Sequence, residues 1–163
     1  MSVEHSPVTS DAGYAALTGA VGLVDLAQRT RIELTGDDRA TFLHNLSTNE
    51  IKRLSVGSGC EAFLLNARGH VLAHVFVICR QHSLVIETVP DQEPSLLAHL
   101  DRYLIREKVE LHPRTAEWGE FLLAGPHAAD CLSRALGVPP PSERLACLES
   151  QWQGQPLFVV RVE

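Results

Sequence analysis

Apolar and polar residues alternate along three consecutive stretches in the middle of the chain: CEAFLLN (60–66), HVLAHVFVIC (70–79) and SLVIET (83–88). A period of two marks a strand with one buried face, so these stretches predict three strands. A-R-G joins the first pair, with Gly69 supplying the permissive backbone of a tight reversal, and R-Q-H joins the second. The three therefore predict an antiparallel meander.

Upstream, DAGYAALTG (11–19) predicts a short helix capped by Asp11 and stopped by Gly19. VGLVDL (21–26) and TRIELTG (30–36) predict strands, the second alternating Ile32 and Leu34 with Arg31 and Glu33. Then the period changes. Phe42, Leu43, Leu46 and Ile51 recur at helical spacing after Asp37 and Asp38, which predicts a helix with a second turn from Thr48 to about Leu54. EPSLLAHLDRYLIREK (93–108) predicts another, with Pro94 in its first turn and Leu96, Leu97, Leu100, Tyr103 and Leu104 on one face. KVELH and EFLLAG predict strands, GPHAADCLSRALG (125–137) a helix, and LACLESQW and QPLFVVRVE a pair of strands across Gln153 and Gly154.

Strands and helices mix without a regular βα alternation, so the fold class is α+β with a mainly antiparallel sheet and flanking helices. Residues 1–10 are polar and predict a disordered N-terminus, leaving 11–163 as the folded part. The chain ends on an apolar β-branched run, VVRVE, with no closing element. That ending predicts a fragment, or a larger fold cut short.

Composition narrows the function. The 163 residues carry a net charge of −6, which argues against a dedicated nucleic-acid binder, since phosphate contacts need surplus Lys and Arg. No apolar run approaches the ~20 residues that span a bilayer, so a membrane role is not expected. The polar N-terminus has no signal-peptide pattern. Cys60, Cys79, Cys131 and Cys147 contain no C-x-x-C pair, so neither a zinc knuckle nor a thioredoxin-type motif is present and no metal site is expected. Their number allows two disulfides, but without a secretion signal reduced thiols in the cytosol are expected.

One residue stands out. His74 places an ionisable imidazole in the middle of LLNARGHVLAHVFVICR (64–80). His70 lies four residues before it, which in a strand puts the pair on one face about 13 Å apart, too far for a shared metal. That face looks either into solvent or into a cleft. Asn66 and Gly69 have their own local explanation, since a hairpin selects Asn at a strand end and Gly in the turn. The phosphate-loop, dinucleotide, zinc-protease and esterase-elbow motifs are all missing.

Four blocks together resemble the folate-binding domain shared by the glycine-cleavage T-protein and its YgfZ-type relatives. VGLVDLAQRTRIELTGDDRATFLHNLSTNEIKRL is similar to that family's opening segment, with its T-G-D-D and F-L-x-x-L-x-T-N runs. LLNARGHVLAHVFV resembles its L-N-x-x-G-x-V hairpin, HLDRYLIREKVEL its YgfZ-type helix and strand, and LLAGPHAADCL its L-x-G-P-x-A segment. The blocks span residues 14 to 137 in the expected order.

The resemblance implies a three-domain protein whose first domain is split along the chain, with tetrahydrofolate in a central channel. It implies Leu64, Asn66, His74, Phe76 and Glu87 as folate contacts, lining a pocket shaped for a pterin. In aminomethyltransferases the strand after L-N-x-x-G carries two adjacent aspartates, the second catalytic. Those places hold Ala73 and His74 here, which makes His74 the catalytic candidate, and the family's pterin-facing asparagine falls at Glu87 or Thr88. Imidazole offers no fixed negative charge. The expected function is therefore tetrahydrofolate binding in the YgfZ branch, supporting the assembly or repair of iron–sulfur client proteins. The K-G-C-x-G-Q-E cysteine motif of that branch is not in this sequence, and none of the four cysteines takes its role. The first rival is an aminomethyltransferase acting with a lipoyl carrier protein. The second is an inactive truncated chain that needs a partner to complete its sheet.

Overall fold

The computed structural model describes residues 10–163. The expected disorder of residues 1–9 lies outside that range, and Ser10 opens a helix rather than ending a tail. In chain order the elements are α1 (Ser10–Gly19), β1 (Gly22–Asp25), β2 (Thr30–Thr35), α2 (Arg39–Asn45), β3 (Ser58–Leu65), β4 (Val71–Cys79), β5 (Leu84–Thr88), α3 (Glu93–Asp101), β6 (Glu110–Pro113), β7 (Phe121–Ala124), α4 (Ala128–Leu136), β8 (Cys147–Trp152) and β9 (Gln155–Val160). The class is α+β with antiparallel strand pairing, as the mixed periodicities predict.

The chain divides into two compact units. One holds the segment up to Leu26 together with Phe121–Pro140, and the other holds Ala27–Glu120 with Pro141–Glu163. In the first unit β1 and β7 form a two-stranded antiparallel ribbon with Leu23 opposite Leu123. Gly125 follows β7 at φ 122°, where a Cβ would meet the Ala20 carbonyl oxygen at 2.6 Å, so backbone crowding demands glycine there. α4 ends at Gly137 in the left-handed conformation, its N–H donating to the Ser133 carbonyl at 2.8 Å.

The second unit is built on a five-stranded sheet in the order β3-β4-β5-β2-β6. The predicted meander is its first three strands. One face carries Ala62, Leu64, Ala73, Val75, Val77, Leu84, Ile86, Ile32 and Leu34, all buried against Phe42 and Leu43 of α2, Ile51, and Leu96 and Leu100 of α3. Burying such side chains contributes roughly 1.5–3 kcal/mol each relative to exposure, which makes this layer the source of the unit's stability.

Two helices are shorter than their periodicity predicts. α2 stops at Asn45, and residues 46–49 run along the outer edge of β3 instead of making another turn. Phe63 N–H donates to Thr48 Oγ1 (2.9 Å), Thr48 N–H to the Phe63 carbonyl (3.1 Å) and Asn49 Nδ2 to the Glu61 carbonyl (2.7 Å). The T-N pair of the sequence thus satisfies an otherwise open sheet edge. α3 ends at Asp101 because Glu107 accepts the N–H groups of Ile105 and Arg106 (both 2.9 Å), which turns the chain toward β6.

The alternation in β2 also conceals a second burial. Ile32 and Leu34 enter the core, yet Arg31 and Glu33 on the opposite face are 2 % and 8 % exposed. The 114–120 segment and the β8-β9 hairpin supply their partners on that side. Arg114 pairs with Glu33 at 2.9 Å, Arg80 joins Glu33 to Glu149, and Arg80 lies over both Trp118 (5.8 Å) and Phe158 (5.3 Å).

Burial alone would push the Glu33 carboxyl up, but the Ser83 hydroxyl and the Arg114 and Arg80 cations more than offset it and hold it below its ordinary 4.5. A depressed carboxylate stabilises the fold above its unfolded pKa and loses that contribution as pH falls through the folded one. Glu33→Gln is therefore expected to flatten the acid-side fall in melting temperature between neutrality and about pH 3. Parallel wild-type and variant melts over that range check this, and equal slopes would contradict it.

Candidate functional site

The face of the large sheet opposite the core is covered at its Glu33 end and open at the other. Strand register decides which side chains share the open part. Phe63 of β3 lies opposite His74 of β4, Glu61 opposite Phe76, and Phe76 in turn opposite Glu87 of β5. Since successive side chains point to opposite faces, these five stand together, and Ala62, Leu64, Ala73 and Val75 point to the core.

Three rings form a row on this face. Phe63 and His74 have centroids 5.2 Å apart and tilted by 50°, and His74 meets Phe76 edge-on at 5.4 Å. Charged pairs flank the row. At one end His74 Nε2 lies 3.3 Å from Glu61 Oε2, and Glu61 is held on its other oxygen by Arg144. At the other end Arg29 sits over the Phe76 ring at 5.8 Å and brings Nε within 2.6 Å of Glu87 Oε1. That contact is a close ion pair without an aligned hydrogen bond, because the buried Arg29 Nε has no acceptor in line. Behind it, Arg31 Nη1 donates to Glu120 at 2.7 Å.

The electrostatics of the two ends differ. The Arg144 guanidinium holds the Glu61 carboxyl below the ordinary range, outweighing desolvation, with a smaller contribution from His74. Glu120 is pushed up, first by burial and then by the nearby Glu87 charge, although Arg31 and Arg29 pull the other way. Thr88 Oγ1 donates to the His74 backbone carbonyl at 2.6 Å and braces that strand from within the core.

The site residues expected from the sequence divide accordingly. His74, Phe76 and Glu87 come together on the open face. Leu64 does not, because its position between Phe63 and Leu65 turns it inward, where it is fully buried beside Ala73. Asn66 spends its side-chain oxygen inside the hairpin, accepting from the N–H groups of Arg68 (2.9 Å) and His70 (3.0 Å). That is the turn-forming role its local sequence supports. His70 lies just outside β4, so the shared strand face with His74 does not arise. Four neighbours escaped the sequence reading. Glu61 and Phe63 were visible as the outward half of the β3 alternation, Arg29 precedes β2 and carried no signal, and Arg144 arrives from a distant loop.

In this chain the face is a shelf rather than an enclosed pocket, with the His74 side chain 45 % exposed. Surface concavities lie elsewhere, around Thr35–Asp37 with Glu107–Glu110 and around His127, Asp130 and Arg134. Among the described residues no three His, Cys, Asp or Glu side chains are placed to hold a metal ion, and no helix is long and apolar enough to cross a membrane. All four cysteines are free thiols, with Cys147 pushed up to about 11, chiefly by burial.

Comparison with known proteins gives the architecture its place. The chain is 25 % identical over 163 residues to an aminomethyltransferase of Frankia alni, a match covering 99 % of this chain and 44 % of that protein. It is 32 % identical over 114 residues to a mitochondrial iron-sulfur cluster assembly factor IBA57 homolog of Cryptococcus neoformans, covering 64 % of this chain and 29 % of that one. The glycine cleavage system aminomethyltransferase T of Bartonella henselae superposes with a TM-score of 0.76 at 20 % identity, over 86 % of this chain and 38 % of that structure. The chain thus spans less than half the length of these relatives. The family model of the GCVT N-terminal domain matches residues 6–163, and the chain belongs to that family.

Proposed function

We propose that this chain supplies a reduced-folate-binding face in a YgfZ-type protein that supports iron–sulfur client proteins and does not itself transfer an aminomethyl group. The observation that carries the proposal is the row Phe63–His74–Phe76, whose neighbouring carboxylates among the described residues, Glu61 and Glu87, are both paired with arginines. A planar heterocycle stacks on such rings, and Glu87 and His74 offer polar edges next to them. The face thus fits the pterin of tetrahydrofolate, with Phe63, His74, Phe76 and Glu87 as the residues that would hold it. Bound tetrahydrofolate would supply a ring amine able to carry a one-carbon unit.

In the aminomethyltransferases that the sequence resembles, a carboxylate holds or takes a proton at that amine. Here Glu61 is bound to Arg144 and Glu87 to Arg29, and position 74 is an imidazole. The relative named for iron-sulfur cluster assembly supports the same branch.

Calorimetric titration of the chain with tetrahydrofolate is expected to saturate, and Phe76→Leu to weaken the affinity about tenfold, the loss of one ring contact. A flat titration of folded wild-type protein would reject the proposal.

One observation favours a rival reading. Glu61 beside His74 could orient the imidazole as a proton acceptor, which would restore an aminomethyltransferase acting with a lipoyl carrier protein. Turnover of aminomethylated carrier by the wild-type chain would establish that reading in place of ours.

A further inference from the structure

Resting on the proposed folate-binding face, we infer that Glu61 is the positioning residue of His74: its carboxylate accepts the Nε2 hydrogen and leaves Nδ1 as a bare acceptor for a ring N–H of the bound ligand. The assignment follows from the donor and acceptor capacities of the groups. An ionised carboxylate only accepts hydrogen bonds. Glu61 is kept ionised by Arg144, which donates to Oε1 while Oε2 faces the imidazole at 3.3 Å. The hydrogen between them must therefore sit on Nε2. In a neutral imidazole the other nitrogen then carries the lone pair, and Nδ1 of His74 has no hydrogen-bond partner among the described residues.

Placement makes this consequential. Phe63 and Phe76 bracket the imidazole at 5.2 and 5.4 Å, so its remaining polar atom is the central feature of an otherwise apolar row. The charged groups around it are Glu61 and Arg144 on the β3 side and the Glu87–Arg29 pair beyond Phe76. Glu61 is thus the carboxylate in contact, and it sets the sense of the hydrogen bond on offer. A ligand that presents an N–H donor at the edge of a planar ring matches the face, and one that presents only acceptors does not.

Long-range ¹H–¹⁵N spectra of the labelled chain test the assignment without any ligand, with the His74 signals identified by their loss in His74→Gln. In the neutral imidazole we expect the hydrogen on Nε2 and Nδ1 bare. In Glu61→Leu the two nitrogen shifts should move toward each other as the tautomers mix. Glu61→Gln, whose amide oxygen still accepts, should stay near wild type. Tetrahydrofolate affinity is expected to fall about tenfold in Glu61→Leu, the worth of one misdirected hydrogen bond, and to fall less in Glu61→Gln. A wild-type spectrum with the proton on Nδ1 overturns the inference whatever the titration shows. So does a Glu61→Leu chain whose shifts and folate affinity equal those of wild type. A wild-type chain that takes up no reduced folate overturns the proposed function alone, because the spectra decide the role of Glu61 by themselves.

Discussion

Replacing Arg31 with alanine is expected to destabilise the sheet-bearing unit by about 3 kcal/mol, near the lower end of what removing one partner of a buried pair costs. The Arg31 side chain is 3 % exposed, and its guanidinium donates to Glu120 at 2.7 Å, to the Ala27 carbonyl at 2.7 Å and to the Thr115 carbonyl at 3.1 Å. Alanine leaves all three acceptors without that donor. Glu120, whose carboxyl burial already pushes up, would lose its main cation and shift further toward the neutral acid. Neutralisation relieves part of the penalty, and Glu120 retains some solvent contact, which is why the lower figure is expected. Urea unfolding of wild type, Arg31→Ala, Glu120→Gln and the double variant measures the coupling. The double variant should be less destabilised than the sum of the singles. A loss below about 1 kcal/mol in Arg31→Ala would mean that the pair behaves as a surface contact.

The second large effect is expected at Leu64. The resemblance to folate-binding relatives implies a ligand contact there, whereas the structure buries the side chain completely, between the Ser47 bridge on one side and Ala73 on the other. Leu64→Ala should therefore cost about 3 kcal/mol through the cavity it opens and leave the folate affinity of the folded fraction unchanged. Phe63→Leu, one position earlier, should do the reverse, weakening folate binding with little loss of stability. Chemical unfolding and calorimetry on the same two variants separate these outcomes. If Leu64→Ala kept wild-type stability and lost folate binding, the facing of β3 described here would be wrong.

Much of the fold was legible because it follows from local rules. Period-two stretches became β3, β4 and β5 with boundaries within two residues of those expected, since alternation reports directly on a half-buried strand. Gly69 and Gly137 marked a turn and a helix stop because both need positive φ, as observed at 76° and 73°. Helix ends were less legible. Leu46 and Ile51 continue a helical spacing, yet the chain between them serves the β3 edge, a demand set by a strand that begins several residues later. Competition between a local helix and a distant unpaired edge leaves no local trace.

The candidate site divides in the same way. Sequence alone determined the α+β class and the meander, because each depends on residue type and near-neighbour spacing, and its motif blocks pointed to the family. Only the tertiary structure decided the open face. It turned Leu64 inward, tied Asn66 into its hairpin, and brought Glu61, Phe63, Arg29 and Arg144 around His74 and Phe76. It also buried Arg31 and Glu33 under segments more than eighty residues away. The physical reason is that register and cross-chain charge pairing are set by which distant strands meet, and a one-residue change in that meeting exchanges the two faces of the sheet.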